Sequence, residues 1–227
     1  MDDGEIDRIL SRCEHQLGSG RVPDLRAEGF WRAIAAIKRR ADLVGRYADR
    51  AADIDLAAFR ARVAIRMSAA GGIALLVLGT LFGLVVLWLA AAFQHPTREL
   101  LVLIGMGAML VCTHDLAHFV VGSISGIRFT DWFIDLPRVP YPGLKIEYGS
   151  YLRVPPATRA WMHASGAIVS KVVPFLVLLY AVSIACDAWA VIVLAAIGIV
   201  SIVTDVLFSV KASDWKRYAR EMRLARR

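Results

Sequence analysis

Four long runs of apolar residues dominate the pattern of hydrophobic and polar positions along this chain. They cover roughly residues 67–93, 100–121, 160–185 and 188–210. Each run is long enough to cross the hydrocarbon core of a bilayer as a helix. With 57% hydrophobic residues overall, the chain is too apolar for an ordinary soluble domain. The predicted fold class is therefore an all-α polytopic membrane protein with about four transmembrane helices.

The basic residues indicate how these spans are oriented. Residues 1–66 carry 13 Lys and Arg, the segment 122–159 carries five and the tail from Lys211 carries seven, whereas the link 94–99 carries only Arg98. Positive charge collects on the cytoplasmic side of membrane proteins. We therefore expect both termini and the long middle loop to be cytoplasmic.

The net charge of +7 follows from the same basic clusters. Basic residues beside membrane spans interact with anionic lipid headgroups, so the bilayer is an expected partner and nucleic acid is not. The acidic start of the chain has no apolar stretch, so no cleavable signal peptide is expected. The three cysteines are scattered and indicate neither a disulfide framework nor a cysteine zinc site. The oligomeric state stays open.

Polar regions precede and follow the predicted core, which comprises residues 65–212. Residues 1–64 are charged, rich in Ala and Arg, and show helical periodicity, with a second helical stretch expected at roughly 24–50. We expect a cytoplasmic helical region whose last helix continues into the first span. Residues 213–227 predict a basic amphipathic tail helix along the inner leaflet.

The loop 123–158, between the second and third spans, differs in character from the rest of the core. Aromatic, β-branched and alternating residues at 127–134, 144–148 and 150–154 are typical of strands. Proline and glycine at 140, 142 and 143 supply turn residues between them. The loop therefore predicts a short β-hairpin or a three-stranded sheet at the membrane surface.

The second span contains the pattern His114-Asp115-Leu116-Ala117-His118. Two histidines four residues apart lie on one face of a helix, so both imidazoles can bind one ion. Ionisable groups inside a membrane are costly and usually functional. Two histidines with an adjacent carboxylate form the core of a zinc-hydrolase site, in which Asp115 would be the catalytic base that takes a proton from the attacking water.

A catalytic zinc usually takes a third protein ligand. Counted from the cytoplasmic ends of the predicted spans, at about 1.5 Å per residue, Asp205 in the fourth span lies between His114 and His118 in depth. We therefore expect Asp205 to be the third metal ligand, because an ion would offset the cost of burying its carboxylate. Asp214 is an alternative, although it lies beyond the predicted end of the span. An ion pair between Asp205 and Lys171 is another.

The third span adds two polar groups at similar depths. His163 is level with His118, and Lys171 lies near the midplane of the bilayer. His163 would be a fourth ligand, a stabiliser of the transition state or an interfacial residue. Lys171 is expected to have a partner or a water cavity, because the midplane is far from the interface.

With these residues the chain resembles the site-2 protease family of intramembrane zinc metalloproteases. The family pattern is His-Glu-x-x-His on one span, a membrane-associated β-rich segment, a span with a small-residue motif, and an aspartate on the last core span. Here Gly126-Ile127-Arg128 resembles the turn into the strands, and residues 164–170 resemble the small-residue motif. Asp115 stands where the family has Glu. The family's Leu-Asp-Gly signature is missing, so its aspartate maps to Asp205 or Asp214.

The resemblance covers roughly residues 100–218 and implies a site-2-protease-like core. It implies zinc as the cofactor and intramembrane peptide-bond hydrolysis of a membrane-protein or peptide substrate. Ser170 and Lys171 would position the scissile carbonyl, and the strands could pair with an unwound substrate segment. Iron remains an alternative metal, because imidazole–carboxylate sites accept several ions.

Two other functions remain open on the same residues. Aspartate is one methylene shorter than glutamate, which favours a catalytically weak or inactive metal-binding protein that holds a partner. A small ion- or proton-coupled transporter is the third possibility, with Asp205, Lys171 and His163 as a relay.

Overall fold

The structure, a computed structural model, describes residues 1–135, 141–207 and 213–226. The predicted turn residue Pro140, the predicted end of the fourth span and Lys211 lie outside the described residues. The elements follow in the order α1 (Asp3–Gly18), α2 (Phe30–Ile37), α3 (Ala41–Arg62), β1 (Ile65–Ser68), α4 (Ala69–Ala90), α5 (Thr97–Ile124), β2 (Phe129–Asp135), β3 (Tyr141–Ile146), α6 (Tyr148–Arg153), α7 (Pro156–Ser183), α8 (Ala188–Leu207) and α9 (Asp214–Ala225).

Four helices, α4, α5, α7 and α8, are long and apolar enough to cross a membrane. This confirms a mostly helical chain with the predicted four candidate spans within the described residues. Many of their large apolar side chains are exposed, as expected of helices whose outer surface contacts lipid. Helix α5 packs between α4 and α7. Its contact with α4 is close because a Cβ on Gly83 would lie 3.0 Å from the carbonyl oxygen of Gly105.

The three strands form one antiparallel sheet in the order β1-β2-β3. A small sheet was predicted, but its strands differ from the expected ones. Strand β1 lies where a helix continuing into the first span was expected, and it pairs Met67 with Trp132. The sheet packs against the start of α4, where a Cβ on Gly72 would lie 2.1 Å from Cβ of Trp132. Pro142 and Gly143, expected in a turn, lie in β3.

The predicted third strand at 150–154 is wrong, because residues Tyr148–Arg153 form the short helix α6. The Glu147 side chain accepts hydrogen bonds from the backbone N–H groups of Gly149 and Ser150, at 2.7 and 2.8 Å. A carboxylate that caps the first turn in this way stabilises a helix start over an extended chain. Helix α6 connects the sheet to α7 and faces the N-terminal helices.

Helices α1, α2 and α3 pack around their own apolar core. The second of the predicted helical stretches is divided, since α2 ends at Ile37 and α3 begins at Ala41. Leu152 of α6 is buried in the same core, and Lys145 of β3 forms an ion pair with Asp55 of α3. The N-terminal helices are therefore docked on the sheet and α6. The core is built mainly from Ile6, Ile9, Leu10, Cys13, Phe30, Ile34, Ile37, Leu43, Tyr47 and Ile54.

Candidate metal centre

His114 and His118 lie on one face of α5 and direct their Nε2 atoms towards each other, 3.2 Å apart. The Nδ1 atom of His118 lies 2.7 Å from the carbonyl oxygen of Met162 on α7. A carbonyl oxygen only accepts hydrogen bonds, so Nδ1 carries the proton in this contact. The Nε2 lone pair of His118 is then free for a ligand.

A second contact with α7 fixes the His114 ring in the same way. The Ser170 hydroxyl donates to the carbonyl oxygen of Gly166 at 2.9 Å. With its hydrogen used there, Ser170 Oγ accepts from Nδ1 of His114, at 2.8 Å. The Nε2 lone pair of His114 therefore also faces the space between the two rings. Ser170, predicted to position substrate, is the residue that orients the His114 ring in the structure.

The third group at this point is Asp214, the first residue of α9. Its Oδ2 atom lies 3.5 Å from Nε2 of His114 and 3.3 Å from Nε2 of His118. Ser213 caps the helix by accepting from the backbone N–H of Lys216.

The three atoms have the spacing that a tetrahedral zinc ion requires. Bonds of about 2.0–2.1 Å at tetrahedral angles place ligand atoms about 3.3–3.4 Å apart. The separations of 3.2, 3.3 and 3.5 Å lie around that value. A point less than about 1 Å from the plane of the three atoms is about 2.0–2.1 Å from each of them. His114, His118 and Asp214 are thus a candidate metal-binding group.

Asp205 does not reach this group, and its expected place is taken by Asp214. The Oδ2 atom of Asp205 lies 2.7 Å from Nζ of Lys171, so the two side chains form an ion pair between α8 and α7. This is the alternative left open by the sequence. The pair explains how both charges are accommodated in the spans, because each neutralises the other.

Asp115 is buried, with 8% of its surface exposed. No described residue forms a hydrogen bond with its Oδ2 atom. It follows His114 directly and is not one of the three convergent ligands. An unpartnered carboxylate oxygen beside a metal site is suited to accept a proton, which is the role predicted for it.

His163 is held in a different network from the metal group. Its Nε2 atom lies 2.9 Å from the Tyr151 hydroxyl, which in turn donates to Oε1 of Glu221 at 3.1 Å. Burial raises the pKa of Tyr151 well above its usual value, so the hydroxyl keeps its proton. His163 is therefore not part of the candidate metal group, where it was expected as a fourth ligand among other roles.

Glu221 anchors α9, and the sequence reasoning missed it. Lys38 donates to its Oε1 atom at 2.6 Å, and Arg159 donates to its Oε2 atom at 2.7 Å. Burial alone would raise the pKa of the Glu221 carboxyl, but these two cations lower it by more. The net pKa therefore lies below the ordinary value. Glu221 follows Asp214 by seven residues, or two helical turns, so both project from one face of α9. This seven-residue spacing of two acidic residues was the sequence feature that could have indicated a second contact of α9.

An apolar groove runs beside the metal group, between α5 and α7. Its volume is about 540 Å³. Four of the residues that line the groove directly precede residues of the site in the sequence. They are Thr113 and Ala117, before the two histidines, and Ser165 and Val169, before Gly166 and Ser170. The groove therefore flanks the site on the surface that contacts lipid. Ile168 and Trp161 also line it.

Comparison of the chain with models of known families, with curated proteins and with solved structures gave no significant match.

Proposed function

We propose that the chain is an intramembrane zinc metalloprotease of the site-2 protease type. The observation that carries the proposal is the convergence of three acceptor atoms, from His114, His118 and Asp214, at tetrahedral spacing. The hydrogen bonds to Nδ1 leave both Nε2 lone pairs facing the Asp214 carboxylate. Three acceptors at this distance repel one another unless a metal ion or an added proton lies between them, and a metal ion satisfies all three at once.

The chain's own residues supply the remaining parts of the reaction. A bound zinc ion would polarise the attacking water and the scissile carbonyl. Asp115 would accept the proton of that water, and its unpartnered oxygen supports this role. The apolar groove between α5 and α7 would receive the substrate segment, because it opens to lipid next to the histidines. An extended segment there could pair with the edge strand β3.

The spacing of the ligand atoms favours tetrahedral zinc over octahedral iron, whereas the set of two imidazoles and one carboxylate suits both metals. The distribution of Lys and Arg supports cytoplasmic termini, which would place the metal group near the inner face of the membrane. A membrane-protein substrate would then be cut close to that face.

The second candidate is a metal-binding membrane protein that holds a partner without cleaving it. Asp115 in place of a longer glutamate favours this candidate, because a shift of about 1 Å in a catalytic group can cost about 100-fold in rate. The transporter has less support, since His163 and the Lys171–Asp205 pair have separate partners.

The first experiment measures metal in protein purified in detergent, with any histidine tag removed. We expect an equivalent of zinc that is lost in the double variant His114→Ala, His118→Ala and strongly reduced in Asp214→Asn. Asp205→Asn is the matched control, because it removes a carboxylate at the predicted depth without touching the group. The same zinc content in the native chain and in the double variant would remove both leading functions.

The second experiment divides the protease from the binding protein. Tagged single-span membrane proteins are co-expressed with the chain, and their cleavage is followed on gels. A protease cuts a reporter with the native chain and not with Asp115→Ala or the double histidine variant. Equal processing by all three would contradict the roles proposed here, and binding of zinc without any cleavage would favour the second candidate. A higher rate for Asp115→Glu would indicate a weakened protease.

A further inference from the structure

A second group of potential ligands lies at the opposite end of the helix bundle. His95 is in the link between α4 and α5, Glu99 is in the first turn of α5, and Asp187 directly precedes α8. Nδ1 of His95 lies 2.8 Å from Oδ2 of Asp187 and 3.4 Å from Oε2 of Glu99. Glu99 precedes His114 by fifteen residues, about 22 Å along α5. The two groups are therefore separate sites.

The Glu99 carboxylate is the feature that requires a ligand. The residue is 0% exposed. Its Oε1 atom accepts from the backbone N–H of Asp187 at 3.1 Å, whereas no described residue forms a hydrogen bond with Oε2. Oε2 instead faces His95. A buried carboxylate oxygen without a donor is costly unless a cation compensates it.

The nearest basic side chain is already used elsewhere. The Arg98 guanidinium donates to the backbone carbonyls of Phe93, Ile184 and Ala185, at distances of 2.9–3.0 Å. It thereby ties the two links together, and its charge acts on the Glu99 carboxylate without a hydrogen bond to Oε2. The Oε2 atom, which faces His95, is thus left for a bound ion.

We propose that His95, Glu99 and Asp187 bind a divalent cation of the zinc type. Two carboxylates balance a charge of +2, and one imidazole nitrogen with carboxylate oxygens is a donor set for first-row divalent metals. Glu99 is fixed by burial, whereas His95 and Asp187 are about half exposed. The half-exposed Asp187 has room to widen its contact with His95 to the spacing of about 3.3 Å that a shared ion needs. The ion would pin the α4–α5 and α7–α8 links to the start of α5.

The test uses full-length protein that already carries His114→Ala and His118→Ala, so that the first site cannot bind. The tag-free protein is stripped with EDTA and titrated with Co²⁺, followed by its visible absorption, and with Zn²⁺ against a fluorescent chelator. We expect one equivalent of metal and a rise in unfolding temperature on adding Zn²⁺. Adding His95→Gln, Glu99→Gln or Asp187→Asn should lower the affinity at least tenfold and abolish the rise. His15→Gln, which changes an exposed histidine outside the group, should leave both unchanged.

Two results would overturn the proposal. One is an affinity that stays the same when the three ligand substitutions are added. The other is stripped protein whose unfolding temperature does not respond to Zn²⁺, which would assign the cluster to an ion pair with protonated His95. Glu99 is buried, so its variant is checked by gel filtration, and the half-exposed His95 and Asp187 carry the test if it does not fold. Because the first site is absent throughout, neither result bears on the proposed protease.

Discussion

Gly166 of α7 offers the most direct test of the metal centre, because it leaves room for the His118 ring. A Cβ at this position would lie 2.3 Å from Nε2 of His118, 2.6 Å from Cε1 and 2.8 Å from Cδ2. Ordinary contacts of a Cβ begin at 3.4 Å. In Gly166→Ala the ring must therefore move by about 1 Å, or α5 and α7 must separate by a similar distance.

A displacement of this size disrupts metal coordination but destabilises the fold only moderately. Metal–ligand distances tolerate about 0.2 Å, so a shift of about 1 Å takes Nε2 of His118 out of coordination range. Overpacking of a well-packed interior costs about 1–3 kcal/mol. The higher helix propensity of alanine offsets up to about 1 kcal/mol of this destabilisation. We expect Gly166→Ala to fold and to bind zinc at least tenfold more weakly than the native chain.

Two other glycine variants separate this effect from general overpacking. Gly198→Ala places its Cβ 2.8 Å from Cζ of Phe175, a comparable clash away from the histidines, and Gly107→Ala meets nothing within 4 Å. Zinc affinity is measured by competition with a chelator, and stability by thermal unfolding in the same detergent. Gly198→Ala should lose stability but keep its zinc affinity, and Gly107→Ala should keep both. Native zinc affinity in folded Gly166→Ala would refute the geometry assigned to His118.

Three further predictions concern the residues around the metal. Asp214→Asn should lower zinc affinity at least tenfold, while Asp205→Asn should change it less than twofold in the same competition assay; the reverse order would restore the ligand first expected. Ser170→Ala removes the acceptor that orients His114, and loss of such a partner typically costs about 10–100-fold in metal affinity, so an unchanged affinity would show that the contact is dispensable. Glu221→Gln leaves two buried cations without their carboxylate, which costs about 3–5 kcal/mol at neutral pH. The folded-state pKa of Glu221 is lowered, so its contribution is complete above the unfolded value of about 4.3 and is lost as the pH falls below it. The difference in unfolding temperature between native and Glu221→Gln protein should therefore stay nearly constant from pH 7 to about pH 5 and shrink as the pH is lowered to about pH 3. A difference that stays constant down to about pH 3 would argue against the ion pairs.

The spans and the histidine face could be predicted from the sequence because each depends on local periodicity. A run of about twenty apolar residues has few alternatives to a membrane helix. Two histidines four residues apart share a helix face whatever the rest of the chain does. Strand β1 was missed for the complementary reason. Ile65–Ser68 has only four residues, and its extended form depends on pairing with β2, a partner more than sixty residues away in sequence.

Asp205 was expected in the candidate group, where the structure has Asp214, because the depth of a residue was counted along one helix. That count places Asp205 level with the histidines, but depth does not specify the direction in which a side chain points. Asp205 faces Lys171 of α7, and the ion pair accounts for its burial. Asp214 was discounted because it follows the predicted end of the span. The count assumed that the chain leaves the site at that point, whereas α9 returns to α7 and presents its first residue to the histidines.

The return of α9 also gives the N-terminal helices a structural connection to the metal centre. Asp214 is the only member of the candidate group that does not lie on a candidate membrane-spanning helix in the described structure. Its position depends on what holds α9, and Glu221, two turns further on, is held by Arg159 of α7 and by Lys38 at the end of α2. Two ligands are thus fixed by the packing of α5 against α7, and the third by contacts that include the N-terminal region. A change that loosens Lys38 from Glu221 should therefore weaken metal binding through Asp214, without moving either histidine.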